Sequence, residues 1–410
     1  MKLRFAPFWY DRFPQRRRPA FPRHRTTLET RVAVVGGGLA GCACACALAS
    51  ARVPVVLLEA DRVGTGATSG DIGLVREDFD IAFTETVAAH GLRTARALWE
   101  SMRRAALDFP TALRRLGIKC DLTPLDLVHL TGSDRNALRL LRRDYEARRE
   151  AGLDHSWLTA AAVAREAAAQ GGGAIRTRGA VLDPYAACVG LANAAVARGA
   201  AVFERSEVRR IKAGRKGVEI TTDGGAIRAE TVIVAASTSI PDLRPLRRHL
   251  HPRNGYGVVT GPLSAAVRKQ VGRRAAALRD SASPPHFLRW LKDDRVLVEG
   301  ADQDPIPGRA QEQAVIQRTG QLMYELSLMY PAISGTPPEW GWTYGFDATA
   351  DGLPYIGPHR NFPRHLFALG LGRHGAGTAW LAAKLLSRQV SGVPAKADEL
   401  FGFGRILQSH

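Results

Sequence analysis

Apolar residues along this chain alternate between two spacings. A short β-branched run at 32–35 is followed by Gly36, Gly37, Gly38, Leu39, Ala40 and Gly41, an Ala/Cys-rich stretch to Ser50, and a second apolar run over 53–58 that ends at Glu59. That succession predicts a strand, a helix and a parallel strand. Over 92–116 and 134–149, apolar residues recur three and four positions apart with charges between them, the pattern of amphipathic helices. Glycines 171–173 precede residues 180–184 and a predicted helix over 185–198, where the chain is expected to return toward its first unit. Strands are predicted at 202–211, 217–222 and 231–236, the last buried on both faces because its apolar run is unbroken. Between 255 and 339, alternating segments at 256–260, 287–291 and 295–299 predict an antiparallel sheet, and a final helix is predicted over 378–390.

At 410 residues, with 45% apolar and 23% charged content, the chain has room for two or more domains with an ordinary globular core. No segment approaches the ~18 continuous apolar residues that a membrane span requires. The net charge of +18 would suit a polyanion, but the arginines are dispersed, as at Arg142, Arg143, Arg209, Arg210, Arg273 and Arg274. No basic stripe interleaved with aromatics is present, so these read as solvated faces and no nucleic-acid partner is expected.

The five cysteines, Cys42, Cys44, Cys46, Cys120 and Cys188, are odd in number and do not form a secreted disulfide framework. The Cys-x-Cys-x-Cys spacing is not that of a metal site, so no metal is expected and the three read as small packing residues. Residues 1–27, rich in Arg, Pro and aromatics, lack the apolar centre of a signal peptide. A cytoplasmic protein is expected, with a basic arm over 1–30 that packs on the body or meets another partner.

Gly36, Gly38 and Gly41 follow a strand and open a helix, the context in which G-x-G-x-x-G binds a dinucleotide. The first allows the tight turn, the second lets backbone approach a pyrophosphate, and the third lets helix and strand pack closely. The helix start, with Leu39 and Ala40, presents free N–H groups to phosphate. Glu59, about 20 residues on, stands where a carboxylate accepts ribose hydroxyls.

Three further segments carry a resemblance. Gly64-Thr65-Gly66-Ala67-Thr68-Ser69-Gly70, Thr349-Ala350-Asp351-Gly352-Leu353-Pro354-Tyr355-Ile356-Gly357-Pro358 and residues 367–378 are similar to the signatures of the D-amino-acid oxidase, glycine oxidase and sarcosine oxidase family. The likeness extends over about 31–390. It implies FAD as the cofactor, with Gly66, Ala67, Thr68 and Ser69 running along the flavin and Val208 on the adenine-side strand. It also implies cofactor contacts from Ala60 and Ala236, and from Gly372, Arg373, Gly375, Ala376, Gly377 and Thr378 in the turn and helix start that face the flavin ring. The implied fold is α/β: a Rossmann-like FAD-binding domain (31–90 with 171–250 and 345–410) beside an antiparallel-sheet substrate domain (91–170 with 251–344).

The implied activity is oxidation of the C–N bond of an amine or amino acid, with hydride transfer to flavin N5 and hydrolysis of the imine by water. Dioxygen or an electron carrier is the expected acceptor, and a homo-oligomer is an open state. Alternatives are the flavin-bearing subunit of a dehydrogenase complex and, ranked lower, a tRNA-modifying flavoprotein. Arg76 falls where sarcosine-oxidase-like relatives place an arginine for the substrate carboxylate, and its fork suits both oxygens. Arg373, Tyr256 and Tyr344 are further substrate-positioning candidates, with Trp342 and Phe346 as pocket walls. Tyr344 stands where the sarcosine-oxidase pattern has a flavin-linking cysteine, so noncovalent FAD is expected. Gly377 replaces that pattern's lysine, and Phe346 replaces an arginine of glycine-oxidase-like members.

Overall fold

A computed structural model describes residues 3–132, 134–236 and 241–405, so Met1 and Lys2 of the basic arm, and 237–240 of the FAD-binding unit, lie outside the described residues. Two sheets organise the chain. The first runs Tyr355–His359, Phe362–Leu369, Gly225–Val234, Leu28–Val35, Val55–Leu58 and Ala201–Phe203; its pairings are parallel except that between the first two strands. Val208–Ala213 and Val218–Thr222 extend it as an antiparallel meander onto Gly225–Val234. The second sheet runs Pro338–Ala348, His251–Thr260, Val296–Gln303, Phe287–Trp290, Ala276–Arg279, Thr123–Thr131, Gly173–Val181 and Leu74–Val75. This is the mixed α/β architecture expected, a parallel dinucleotide-type sheet beside a largely antiparallel layer.

The predicted βαβ unit is Leu28–Val35, Leu39–Ser50 and Val55–Leu58. Its helix is buried on nearly every side because Pro184–Val196 and Ala376–Val390 pack against it while its strands lie beneath. Alanine and cysteine fill it because larger side chains would push those helices apart: Cys42, Cys44 and Cys46 are all buried. Burial pushes the Cys44 thiol up to about 12, so it is an inert packing group.

Other elements depart from the sequence reading. The single strand predicted over 202–211 is two, Ala201–Phe203 on Val55–Leu58 and Val208–Ala213 on Val218–Thr222. Between them Arg205 adopts φ 50°, and Glu204 leaves the ladder to accept the Val63 N–H at 2.8 Å. Gly173–Val181 lies along Thr123–Thr131 in the second sheet, so the chain re-enters the first layer with the helix Pro184–Val196, capped by the Asp183 carboxylate. The region read as strands alone also holds the helix Gly308–Met329.

The basic arm packs on the body. Phe8 and Trp9 are buried, Arg4 pairs with Pro338–Ala348 through its N–H to Glu339 O and its carbonyl from Gly341 N, and the Trp9 indole donates to Asp71 O at 2.9 Å. Further on, His24 N donates to Ser206 Oγ and its Nδ1 meets Thr222 Oγ1 at 2.8 Å. The arm thus ties the outer strand of one sheet to the meander of the other. Among the described residues no helix is long and apolar enough to cross a membrane.

Candidate active site

A cleft of about 820 Å³ opens between the layers, a size suited to enclosing a cofactor. Its floor is the glycine turn. Gly36 has φ 106°, and a Cβ there would lie 2.6 Å from Ala235 O. A Cβ on Gly41 would lie 1.8 Å from Gly36 O, so this third glycine permits helix and strand to touch rather than facing the cleft. Glu59 accepts the Gly37 N–H on Oε2 at 2.6 Å and the Asp61 N–H on Oε1 at 2.9 Å. Burial raises its pKa, and it faces the cleft at the end of Val55–Leu58. Opposite, Gly66 has open space where a Cβ would stand, and the Thr68 hydroxyl accepts the Leu39 N–H at 3.0 Å. The cradle therefore has a glycine floor, a cleft-facing carboxylate and a bare wall that fit a dinucleotide, with the Gly37 and Leu39 N–H groups held by Glu59 and Thr68.

Of the cofactor-facing set expected from sequence, Gly36, Gly38, Leu39, Ala40, Glu59, Ala60, Gly66, Ala67, Thr68, Val208, Ala236, Gly372, Arg373 and Gly375 line this one cleft. Gly41, Ser69, Ala376, Gly377 and Thr378 do not, and support it from behind. Ser69 Oγ donates to Thr65 O, and Thr378 Oγ1 donates to Leu371 O and Gly375 O. Gly377 is where the last helix presses on the strand Leu74–Val75: a Cβ there would stand 2.5 Å from Met102 Cε and 3.0 Å from Arg76 O, which leaves no room for a lysine.

The substrate-side candidates divide. Arg76 is buried and each nitrogen of its fork makes one bond within its own loop: Nε to Asp78 Oδ1 and Nη1 to Asp80 Oδ1, both 2.8 Å, and Nη2 to Phe79 O at 2.9 Å. Although burial opposes its charge, those two carboxylates raise its pKa above the ordinary value. Three of its five N–H groups are thus engaged within its own loop, and Arg76 does not line the cleft, so the structure does not bring it together with the cofactor-facing set. Tyr256 and Tyr344 are buried outside the cleft lining; Tyr256 accepts from Gln303 Nε2 at 2.7 Å and Tyr344 donates to Glu299 Oε2 at 2.7 Å. Trp342 donates to Gly70 O and is likewise core, whereas Phe346 is in the cleft wall.

Arg373 lines the cleft. It ion-pairs with Asp302 and lies over the rings of Phe287 and Phe346, 5.4 and 5.3 Å from their centroids. Burial, opposed by Glu299, lowers its pKa to about 10. Beside it His374, fully buried, is pushed down to about 4 by burial, and its Nδ1 lies 3.9 Å from Asp71 and 3.8 Å from Glu299. Burial and the charge of Asp71 push Glu299 well above the carboxylate range. Asp71 holds the turn together: Oδ2 accepts Gly375 N at 3.1 Å and Oδ1 accepts Gly73 N at 2.6 Å. Asp71, Glu299 and Asp302 were not singled out from sequence, because the partners that bring them to this site, Gly375, Tyr344 and Arg373, lie far away in the chain. Asp347, also in the cleft wall, makes no hydrogen bond or ion pair among the described residues, and burial raises its pKa.

A glycine-turn cradle under a parallel sheet, with a second sheet closing one end over an arginine and buried carboxylates, defines a dinucleotide-dependent oxidoreductase. The model of the DAO family, FAD-dependent oxidoreductases, matches residues 31–389. The chain belongs to that family, and its cofactor is FAD. It is 25% identical over 370 residues to the probable oxidoreductase OrdL of Haemophilus influenzae, covering 88% of this chain and 83% of that one. It is 26% identical over 376 residues to the γ-glutamylputrescine oxidoreductase of Escherichia coli, covering 90% and 85%. Among solved structures, glycine oxidase from Geobacillus kaustophilus superimposes with a TM-score of 0.74 at 22% identity, over 93% of this chain and 100% of that one.

Proposed function

We propose that this protein oxidises the C–N bond of an amine or amino acid with noncovalently held FAD. The observation that carries the reading is the cleft wall, which holds the Phe346 ring beneath Arg373 and, next in the same strand, the carboxylate of Asp347, unpaired among the described residues. An ammonium finds a counter-charge at Asp347, and an apolar substituent finds the Phe346 ring. The names of the Escherichia coli and Geobacillus relatives, an oxidoreductase of γ-glutamylputrescine and a glycine oxidase, support the same substrate class.

Gly36, Gly38 and the start of Leu39–Ser50 would hold the pyrophosphate and Glu59 the ribose. When bound, the flavin supplies the hydride acceptor. The helix Ala376–Val390 aims its N-terminus at the Gly372–Gly375 turn, so its positive end offsets negative charge developing there, moderated by Asp71 on the Gly375 N–H. The second sheet shields this end from water, and the proton released by an arriving ammonium passes to Asp347 or to solvent at the cleft mouth. The test is product analysis: turnover should release a carbonyl compound and an amine or ammonia in equal amounts, and carbonyl formation without release of nitrogen would reject C–N oxidation.

A further inference from the structure

The cations and anions that line the cleft differ in how they are matched. Its cations are Arg209, Arg253 and Arg373, and each already has a carboxylate: Arg209 has Glu207 at 2.7 Å and Asp223 at 3.0 Å, Arg253 has Asp304 at 2.6 Å, and Arg373 has Asp302. Behind Arg373, the charges of Arg76 and Arg279 are offset by those of Asp78 and Asp80. The carboxylates of the lining are Glu59, Asp71, Glu207 and Asp347. Glu59 accepts the N–H groups of Gly37 and Asp61, Asp71 accepts those of Gly73 and Gly375, and Glu207 has Arg209. Among the described residues Asp347 alone of these has no partner, and burial raises its pKa with no neighbouring cation to oppose the shift.

An α-amino acid brings a carboxylate beside the reacting carbon as well as a nitrogen. In a partly buried cleft that carboxylate needs a cation whose charge is still unmatched. Taking Arg373 from Asp302, whose side chain is 8% exposed, would strand a buried anion. Arg253 is easier to separate, because its side chain is 35% exposed and that of Asp304 86%, but the same water screens any anion that replaces Asp304. Arg373 Nη1, buried and without a hydrogen-bond partner, can still donate to a neutral acceptor such as a carbonyl. We infer that the substrate is an amine with no carboxylate on its reacting carbon, whose ammonium takes Asp347 as its counter-charge. This narrows, and rests on, the C–N oxidation proposed above.

The test begins with ligands that cannot react, because the carbon bearing their nitrogen has no hydrogen: tert-butylamine, and 2-aminoisobutyrate, which has a carboxylate in place of one methyl group. Pivalate has a carboxylate in place of the amine. Each is titrated into the holoenzyme at about pH 8, where the amines are protonated, and binding is read from the visible spectrum of the oxidised flavin. tert-Butylamine should perturb the spectrum saturably, and 2-aminoisobutyrate and pivalate should bind at least about 100-fold more weakly. Asp347→Asn should weaken tert-butylamine about ten-fold. Asp302→Asn, which leaves the charge of Arg373 unmatched, should tighten pivalate, a gain that damage to the fold would not produce. Flavin reduction by isobutylamine against D- and L-valine carries the same comparison into turnover. Equal binding of tert-butylamine and 2-aminoisobutyrate, or reduction by valine as fast as by isobutylamine, would overturn the inference and leave C–N oxidation standing. No saturable response to tert-butylamine would overturn it too. Selective binding of tert-butylamine to a flavoprotein that no amine reduces would instead reject the oxidation and uphold the preference of the cleft for a cation without a carboxylate.

Discussion

Trp9 donates its indole N–H to the carbonyl of Asp71 at 2.9 Å, and the carboxylate of the same Asp71 accepts the Gly375 N–H at 3.1 Å. The N-terminal arm is therefore fastened to the loop that holds the cleft-lining turn at Gly372–Gly375. Replacing Trp9 by Phe keeps the ring and removes the donor, which should cost about 1 kcal/mol. We expect FAD affinity to fall about five-fold, read by fluorescence titration of the apoprotein. Trp9→Ala also empties a core site and should destabilise the fold by ~3–5 kcal/mol. Unchanged affinity and melting in both variants would show that the arm is a passenger.

Arg76 is a structural ion pair, so Arg76→Gln should act on stability. Two carboxylates lose their partner, one of them, Asp80, with a side chain 35% exposed. The expected loss is ~3 kcal/mol, below the upper range for a buried pair because water screens Asp80. Denaturant melts should show this with the KM for substrate nearly constant. A raised KM with normal stability would restore Arg76 as the substrate anchor.

Gly377 cannot carry a side chain without displacing Met102 and the backbone of Arg76. Gly377→Ala should lower stability by ~1–3 kcal/mol. The same variant in a Met102→Ala background should recover part of that loss, as measured by a double-mutant cycle.

Asp183 supplies a pH test. Burial raises its carboxyl to about 7 from an ordinary 3.8 while it caps Pro184–Val196. A raised folded pKa means the folded chain binds the proton more tightly than the unfolded one. The contribution is full below about 3.8 and is lost as pH rises through about 7. Asp183→Asn keeps the cap, so its melting temperature should fall less than wild type between pH 4 and 8, giving a flatter profile. Parallel profiles would contradict the assignment.

How much of this was legible in sequence follows from range. The cradle from Val32 to Glu59 is local: strand, glycine turn and helix are contiguous, and Gly37 and Gly41 answer to close approaches of Glu59 and Gly36 within that unit. The helix Gly308–Met329 was not legible because it carries apolar residues on both sides, Val315, Leu322 and Leu326 buried but Ile316, Tyr324 and Leu328 exposed, which blurs the helical period. Gly173–Val181 was masked by its glycines; Gly179 is required because a Cβ would meet Leu127 at 2.7 Å and Val75 O at 2.8 Å across the sheet. Arg76 was singled out as a substrate anchor, but its partners Asp78 and Asp80, two and four residues away, fold back onto it. Glu299 and Asp302 reach Tyr344 and Arg373 only through tertiary pairing, so no local pattern exposes them.

The central claim is that amines reduce the bound flavin. The most direct test is to record the visible spectrum of the purified protein anaerobically while adding N-methyl, D- and L-amino acids and polyamines in turn. The account predicts bleaching of the flavin band by at least one of these classes, with colour returning in air for an oxidase or only with an added electron carrier for a dehydrogenase. A flavin that dithionite bleaches and no amine does would contradict it.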